Sequence, residues 1–243
     1  KPHSMVITEG QSLVLGRAVS ITDAFDTPYL LTALEEMGCT ITEGAAATVE
    51  VKRVAVIPGT FNHSVAYMPN ETYTLTVTSD KITIEAVTQT GVIRAAQTML
   101  QLASGTGGTA SLQALTITDW PAFKVRGFMH DVGRSFIPFE ELKHEIDMLS
   151  RFKVNVFHWH LTEKLAWRFM VKAYPQLTAA DNMTRYAGSY YTQQQCKELE
   201  AYAAERGVTV IPEIDMPGHS DAFTKAMGFS MQSDEGVAAL KNI

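Results

Sequence analysis

The sequence is poor in cysteine and has no concentration of positive charge. Its two cysteines, Cys39 and Cys196, are too few for a disulfide framework, so they leave the redox compartment undecided. Lysine and arginine total 20 against 26 aspartates and glutamates, and no basic run occurs. This balance excludes the basic footprint that nucleic acid or an anionic membrane surface requires. No apolar stretch approaches the roughly 18 residues that a membrane span needs.

The remaining composition is that of a globular protein. The pattern of the first half of the chain is typical of a β-sheet with a few helices. Tyr73, Leu75 and Val77 alternate with threonines, and Ile82 and Ile84 continue the period of two after a turn at residues 80–81. This pattern predicts a hairpin with one buried side. Helices are expected from Pro28, with Thr27 as N-cap, to a stop at Gly38, and over about residues 91–102. Residues 1–120 are therefore predicted to form a small two-layer α/β domain with helices on one face of the sheet.

After Asp119-Trp-Pro121 the pattern changes to near-continuous apolar strands that alternate with amphipathic helices. Strands are predicted over 125–132, 154–161 and 208–215, with a helix over 139–153 and a second one that opens at Thr192, whose pairing with Gln195 has the form of a capping box. Strand, helix, strand, helix, strand in this form indicates a parallel α/β unit.

Polar and reactive residue types gather at the C-terminal ends of all three predicted strands. They are Asp131 and Arg134, then His158, His160 and Glu163, and finally Glu213, Asp215 and His219. Because parallel strands aim these ends at one edge of a sheet, the pattern predicts a functional site there.

Several of these residues have an ordinary structural interpretation beside the functional one. His158 and His160 share one strand face and fit either zinc ligands or hydrogen-bonded core histidines. Arg134 fits either a surface ion pair or a fork for vicinal hydroxyls or a carboxylate. Glu163 is by default a solvated loop residue, and Trp167 is more often core than the wall of a sugar site.

Three long motifs are RGFMHDVGRSF (126–136), KVNVFHWHLTE with AWR (153–163 and 166–168) and IPEIDMPGH (211–219), and upstream of them stand YTLTV, GVIRAAQTMLQL and ITDWP. Together these stretches resemble glycoside hydrolase family 20, the β-N-acetylhexosaminidases. The upstream three are similar to the small α/β domain that precedes the catalytic barrel in that family. Nearly the whole chain is covered, in order.

The resemblance implies a (β/α)₈ barrel enzyme that removes terminal N-acetylglucosamine or N-acetylgalactosamine from glycans with retention, using the substrate's acetamido oxygen as nucleophile. Arg134 matches the arginine that holds the sugar's 3- and 4-hydroxyls, and His219 matches the histidine that supports the acid. Glu163 stands where the family usually has an aspartate linked to that histidine, and Asp215 matches a carboxylate of the same cluster. Asp131 and His160 are assigned to substrate binding; no metal or cofactor is implied.

The adjacent Asp-Glu pair that carries acid catalysis in the family has no match after His219. Asp234-Glu235 precedes a helix-like Val-Ala-Ala-Leu and is predicted to be a helix N-terminus. Only three of eight barrel strands are found. We therefore expect residues 1–120 to be an accessory domain and 121–243 an incomplete barrel, the front part of a longer enzyme and inactive alone, with the pair beyond Ile243.

Two other functions stay open, a non-catalytic glycan-binding module and a zinc amidohydrolase that uses His158 and His160. The expected partner is a glycan with a terminal N-acetylhexosamine, with no nucleic acid and no membrane span. The resemblance alone suggests a periplasmic or secreted protein.

Overall fold

The computed structural model describes residues 2–15, 18–59, 67–105 and 110–243. The chain divides into two units. Unit 1 comprises Lys1–Arg126 with the short stretches Ser150–Lys153 and Glu205–Gly207, and unit 2 comprises Gly127–Leu149, Val154–Ala204 and Val208–Ile243. Among the described residues no helix is both long and apolar enough to cross a membrane.

Unit 1 is built on one mixed sheet. Its strands are β1 (Ser4–Val14), β2 (Ala18–Asp23), β3 (Thr40–Ile41), β4 (Ala47–Arg53), β5 (Tyr73–Val77), β6 (Lys81–Ala86) and β7 (Ser111–Asp119). They lie in the order β1-β7-β5-β6-β4-β2-β3, antiparallel from β1 to β6 and parallel from β6 to β3. The helices are α1 (Pro28–Glu36), α2 (Tyr67–Glu71) and α3 (Gln89–Leu102).

The core of unit 1 lies between α1, α3 and one face of the sheet, as the alternating pattern predicted. Leu75 and Ile84 of the hairpin are fully buried against this core, and so is Leu34 of α1. Gly91 allows α3 to approach the start of β5, because a Cβ at that position would lie 2.6 Å from the Thr72 carbonyl oxygen. The predicted hairpin and both helices are confirmed.

A buried ion-pair network within unit 1 was not predicted. The Glu71 carboxylate accepts from Arg94 Nε at 2.7 Å and from Arg126 at 2.5 Å. Burial lowers the pKa of Arg94, and the adjacent Glu71 carboxylate opposes that change. Removal of Glu71 would take away the carboxylate that both Arg94 and Arg126 contact.

The strands of unit 2 are β8 (Gly127–Asp131), β9 (Val156–His160), β10 (Thr162–Glu163), β11 (Ala166–Trp167) and β12 (Thr209–Glu213). A parallel three-stranded sheet has the order β12-β9-β8, and β10 and β11 form a separate antiparallel pair. Its helices are α4 (Phe139–Arg151), α5 (Gln193–Glu205), α6 (Asp221–Met227) and α7 (Asp234–Leu240). Each parallel strand is shorter than the strand predicted from the apolar pattern, because the ladder pairs only residues 127–131, 156–160 and 209–213.

The predicted helix starts in unit 2 are confirmed. Thr192 and Gln195 form the reciprocal capping box, with Thr192 N–H donating to Gln195 Oε1 at 2.9 Å and Gln195 N–H to Thr192 Oγ1 at 3.2 Å. Ser233 caps α7, its Oγ accepting from Gly236 N at 3.0 Å. Asp234 and Glu235 therefore lie in the first turn of α7, as predicted.

Candidate active site

The register of the parallel sheet aligns three polar residues in one row. Asp131 of β8 lies opposite His160 of β9, which in turn lies opposite Glu213 of β12. Paired residues in neighbouring strands point to the same side of a sheet. The C-terminal ends of the three strands thus carry a carboxylate, an imidazole and a carboxylate side by side.

Alternation along β9 explains why these residues face the site. Phe157 and Trp159 are buried in the core formed with α4 and α5. Side chains at alternate positions project to the opposite face. His158 and His160 consequently lie on the face that bears the polar row, and both contact Glu213.

Arg134 is held by two carboxylates. The Asp131 carboxylate accepts from the Arg134 backbone N–H at 2.9 Å and contacts its guanidinium, while Glu163 Oε1 lies 2.5 Å from Arg134 Nη2. The hydrogen bond to Asp131 raises the pKa of Arg134. With 49% of its side chain exposed, Arg134 presents an oriented, charged fork at the edge of the site.

Glu163 is a buried carboxylate and not the solvated loop residue of the default interpretation. It is 1% exposed, and its Oε1 lies 2.7 Å from His219 Nδ1. Burial raises the pKa of its carboxyl, but the hydrogen bond from His219 acts against burial. The backbone N–H of Lys164 and the charge of Arg134 add to that opposing effect and hold the pKa of Glu163 below its ordinary value of 4.5. Glutamate at position 163 therefore reaches His219, although its side chain is one methylene longer than that of the aspartate expected there.

Gly133 provides the space that Glu163 occupies. A Cβ at position 133 would lie 2.9 Å from Glu163 Cβ and 3.0 Å from its Cγ. Both distances are shorter than normal carbon–carbon contact. The absence of a side chain at the end of β8 is thus a condition for the observed position of this carboxylate.

His219 and Asp215 lie in the segment that follows β12. His219 has φ +52°, in the left-handed region, and 50% of its side chain is exposed. The Asp215 backbone N–H donates to Thr162 Oγ1 at 3.0 Å, which ties this segment to β10. Three separate chain segments therefore contribute to one cluster.

Within the part of the chain that the structure describes, two groups of three side chains have the composition of a metal site. In each group the potential ligand atoms lie within 4.8 Å of one another: Asp131, His160 and Glu163 in one, and His160, Glu213 and Asp215 in the other. The Arg134 guanidinium contacts both carboxylates of the first group and supplies their counter-charge. In the second group His160 Nδ1 is 2.9 Å from Glu213 Oε1, so a carboxylate already engages that nitrogen.

The structure brings together every site residue that the sequence predicted. His160 is the most buried histidine among them, with 6% of its surface exposed. Their individual roles stay predictions. Trp167 is a core residue, 1% exposed, with its indole N–H donating to the Phe169 carbonyl at 2.6 Å. Glu213 was predicted among the polar residues at the strand ends but was given no role. The fully buried Arg168 was not predicted to take part in the surroundings of the cluster.

Comparison with known proteins assigns both halves of the chain to one family. Residues 123–240 match the catalytic domain of glycosyl hydrolase family 20, and residues 1–120 match domain 2 of the same family. A β-hexosaminidase of Vibrio furnissii is 43% identical over 169 residues, which are 64% of this chain and 28% of that protein. One from Porphyromonas gingivalis is 48% identical over 118 residues, 46% of this chain and 15% of that protein.

Solved structures agree. A β-N-acetylhexosaminidase from Bacteroides fragilis matches with a TM-score of 0.82 and 30% identity, covering 100% of this chain and 52% of that one. An exo β-N-acetylglucosaminidase from Vibrio harveyi in complex with N-acetylglucosamine matches with a TM-score of 0.78 and 28% identity, covering 94% and 37%. The chain thus spans between about a seventh and a half of the length of these relatives. The expected fold, an α/β domain followed by part of a (β/α)₈ barrel, is confirmed. The chain belongs to glycosyl hydrolase family 20.

Proposed function

We propose that the chain is the front part of a β-N-acetylhexosaminidase that removes terminal N-acetylglucosamine or N-acetylgalactosamine from glycans. The observation that carries the proposal is the contact set of Arg134, Glu163 and His219 at the ends of parallel strands. The names of the relatives and the N-acetylglucosamine complex of one of them support the same substrate class.

In this proposal the reaction proceeds with retention through the substrate's own 2-acetamido oxygen. Arg134 binds the vicinal 3- and 4-hydroxyls with its planar fork. The contact of His219 Nδ1 with Glu163 leaves Nε2 free to support the general acid. The acid and the aspartate that orients the acetamido group are assigned to a part of the protein outside these 243 residues.

Residues 1–120 are then the accessory domain and residues 121–243 the first part of the catalytic barrel. Asp131 orients Arg134, while Asp215 and His160 complete the polar lining of the sugar site. From the family resemblance alone, we also propose that the protein acts in the periplasm or outside the cell, which fractionation of the source cells tests.

The decisive assay uses the full-length protein and an aryl β-N-acetylglucosaminide. We expect this substrate to be cleaved even with a chelator present. An aryl β-glucoside should not be cleaved, since it lacks the acetamido group. Arg134→Ala is expected to lower kcat/KM by ~100-fold or more, because the sugar loses an oriented contact. Arg185→Ala, at an exposed arginine elsewhere in unit 2, is the matched control.

Three outcomes would contradict the proposal in different ways. Full activity of the Arg134→Ala variant would refute the role of the arginine. Binding of N-acetylglucosamine without cleavage would favour the glycan-binding module, and abolition by the chelator would favour the zinc amidohydrolase. Cleavage by the 243-residue chain alone would refute the placement of the acid outside it.

A further inference from the structure

Glu213 lies between two histidines and contacts a ring nitrogen of each. Its Oε1 is 2.9 Å from His160 Nδ1, and its Oε2 contacts His158 Nε2. The arrangement follows from the parallel ladder, in which Glu213 is opposite His160 while His158 lies two positions back on the same face. One carboxylate therefore faces different nitrogens of two imidazoles.

The chemistry of a carboxylate decides which nitrogens carry hydrogen. An ionised carboxylate only accepts hydrogen bonds, so each nitrogen that faces it must donate. In their neutral forms His158 therefore carries its hydrogen on Nε2, and His160 carries its hydrogen on Nδ1. Two histidines two residues apart are thus held in opposite tautomers.

The tautomer of His160 leaves a lone pair on its Nε2. That atom is buried, has no hydrogen-bond partner and lies 3.5 Å from Glu163 Oε1. A lone pair offers nothing to a carboxylate oxygen. Glu163 Oε1 is consequently left to its two nearest nitrogen neighbours, Arg134 Nη2 at 2.5 Å and His219 Nδ1 at 2.7 Å.

We propose that Glu213 is a positioning residue that sets the tautomer of His160 and thereby reserves Glu163 for Arg134 and His219. If the His160 hydrogen moved to Nε2, it would donate to Glu163 Oε1 and compete with the contacts of Arg134 and His219 for that oxygen. The part of this proposal that concerns sugar cleavage rests on the proposed function; the tautomers do not.

Histidine-selective ¹⁵N labelling and NMR of the full-length protein test the tautomers directly. Long-range couplings from ring protons identify the protonated nitrogen of each neutral imidazole. We expect a protonated Nε2 in His158 and a protonated Nδ1 in His160. A protonated Nε2 in His160, or an imidazolium that persists after the other histidines have become neutral, would overturn the proposal without any variant being made.

Glu213→Gln tests the positioning role. An amide has one accepting and one donating end, so it cannot serve both histidines as an acceptor. We expect the tautomer of His158 or His160 to change and the His219 signals to shift with it. A changed His160 tautomer with unchanged His219 signals would refute the relay from Glu213 to His219.

Glu145→Gln is the matched control, since Glu145 is a carboxylate of unit 2 that contacts a histidine outside the cluster. Its oxygens lie 2.9 and 2.8 Å from His130 Nδ1. Only the His130 signals should change in this variant. In the full-length enzyme, Glu213→Gln should lower kcat by at least ~10-fold and Glu145→Gln should not, as expected when a partner orients a site residue. Absent sugar cleavage by the wild-type protein would refute the proposed function and leave the NMR result standing.

Discussion

Arg168 is a fully buried arginine whose guanidinium is satisfied by backbone carbonyls. It donates to the carbonyl oxygens of Val132, Gly133, Arg185, Tyr186 and Ser189, at distances from 2.8 to 3.4 Å. Burial lowers the pKa of Arg168. Two of these carbonyls, at residues 132 and 133, lie directly before Arg134. The Arg168 side chain therefore joins the end of β8 to the loop at residues 185–189. We predict that Arg168→Lys destabilises unit 2.

The size of the effect follows from the number of donors. Lysine has three N–H donors, so at least two of the five carbonyls lose their partner. A buried polar group that loses its hydrogen bond costs about 1–3 kcal/mol. Two such losses amount to about 2–6 kcal/mol. The contacts to the Arg185 and Tyr186 carbonyls are only partly buried, so water offsets part of this cost there. We therefore expect a loss of about 2–4 kcal/mol, which is a large part of the 5–15 kcal/mol that stabilises a typical domain.

Urea unfolding followed by tryptophan fluorescence measures this loss, since Trp159 and Trp167 are buried in unit 2. Arg185→Lys is the matched control, and we expect it to change the free energy of unfolding by less than about 0.5 kcal/mol because its side chain is exposed. If Arg168→Lys cost no more than the control, the carbonyls would not depend on the guanidinium and the reasoning would be wrong.

Three further predictions concern the site and one thiol. Gly133→Ala should cost about 1–3 kcal/mol in chemical unfolding, whereas Gly127→Ala, whose added Cβ would meet its nearest atom at 3.6 Å, should cost less; equal losses would contradict the steric argument. The lowered pKa of Glu163 implies a stabilisation that is present above the pKa of the unfolded state and is lost as pH falls through the pKa of the folded state. The difference in free energy of unfolding between wild type and Glu163→Gln should therefore shrink below about pH 4.5. A difference that does not change with pH would refute this. Burial raises the pKa of Cys196 to about 11, so iodoacetamide at pH 8 should alkylate it slowly until urea unfolds the chain; rapid labelling of the native chain would contradict it.

Local features were predictable because they depend on residues close in sequence. The capping box needs only Thr192 and the residue three positions on, and the hairpin needs only the alternation from Tyr73 to Ile84. The same holds for the shared face of His158 and His160, which follows from the period of two in any strand. All of these predictions are confirmed.

Partnerships across the sheet were not predictable in the same way. Nothing in the spacing of Glu213 says that it faces His160, because the ladder register that pairs them joins segments 53 residues apart. Arg168 gave no signal either, since its partners are backbone carbonyls, which no residue type identifies. The contact of Glu163 with His219 depended on a glycine, and the spacing of the motifs carries no such steric information.

The sequence by itself determined the class of the fold, the buried face of each strand and the gathering of polar residues at three strand ends. These follow from backbone periodicity and from the common direction of parallel strands. Only the tertiary structure decided which of those residues meet. The 2.7 Å contact of Glu163 with His219 joins positions 56 residues apart. Such an approach depends on the register, packing and turns of three segments at once, because a hydrogen bond tolerates only a few tenths of an ångström.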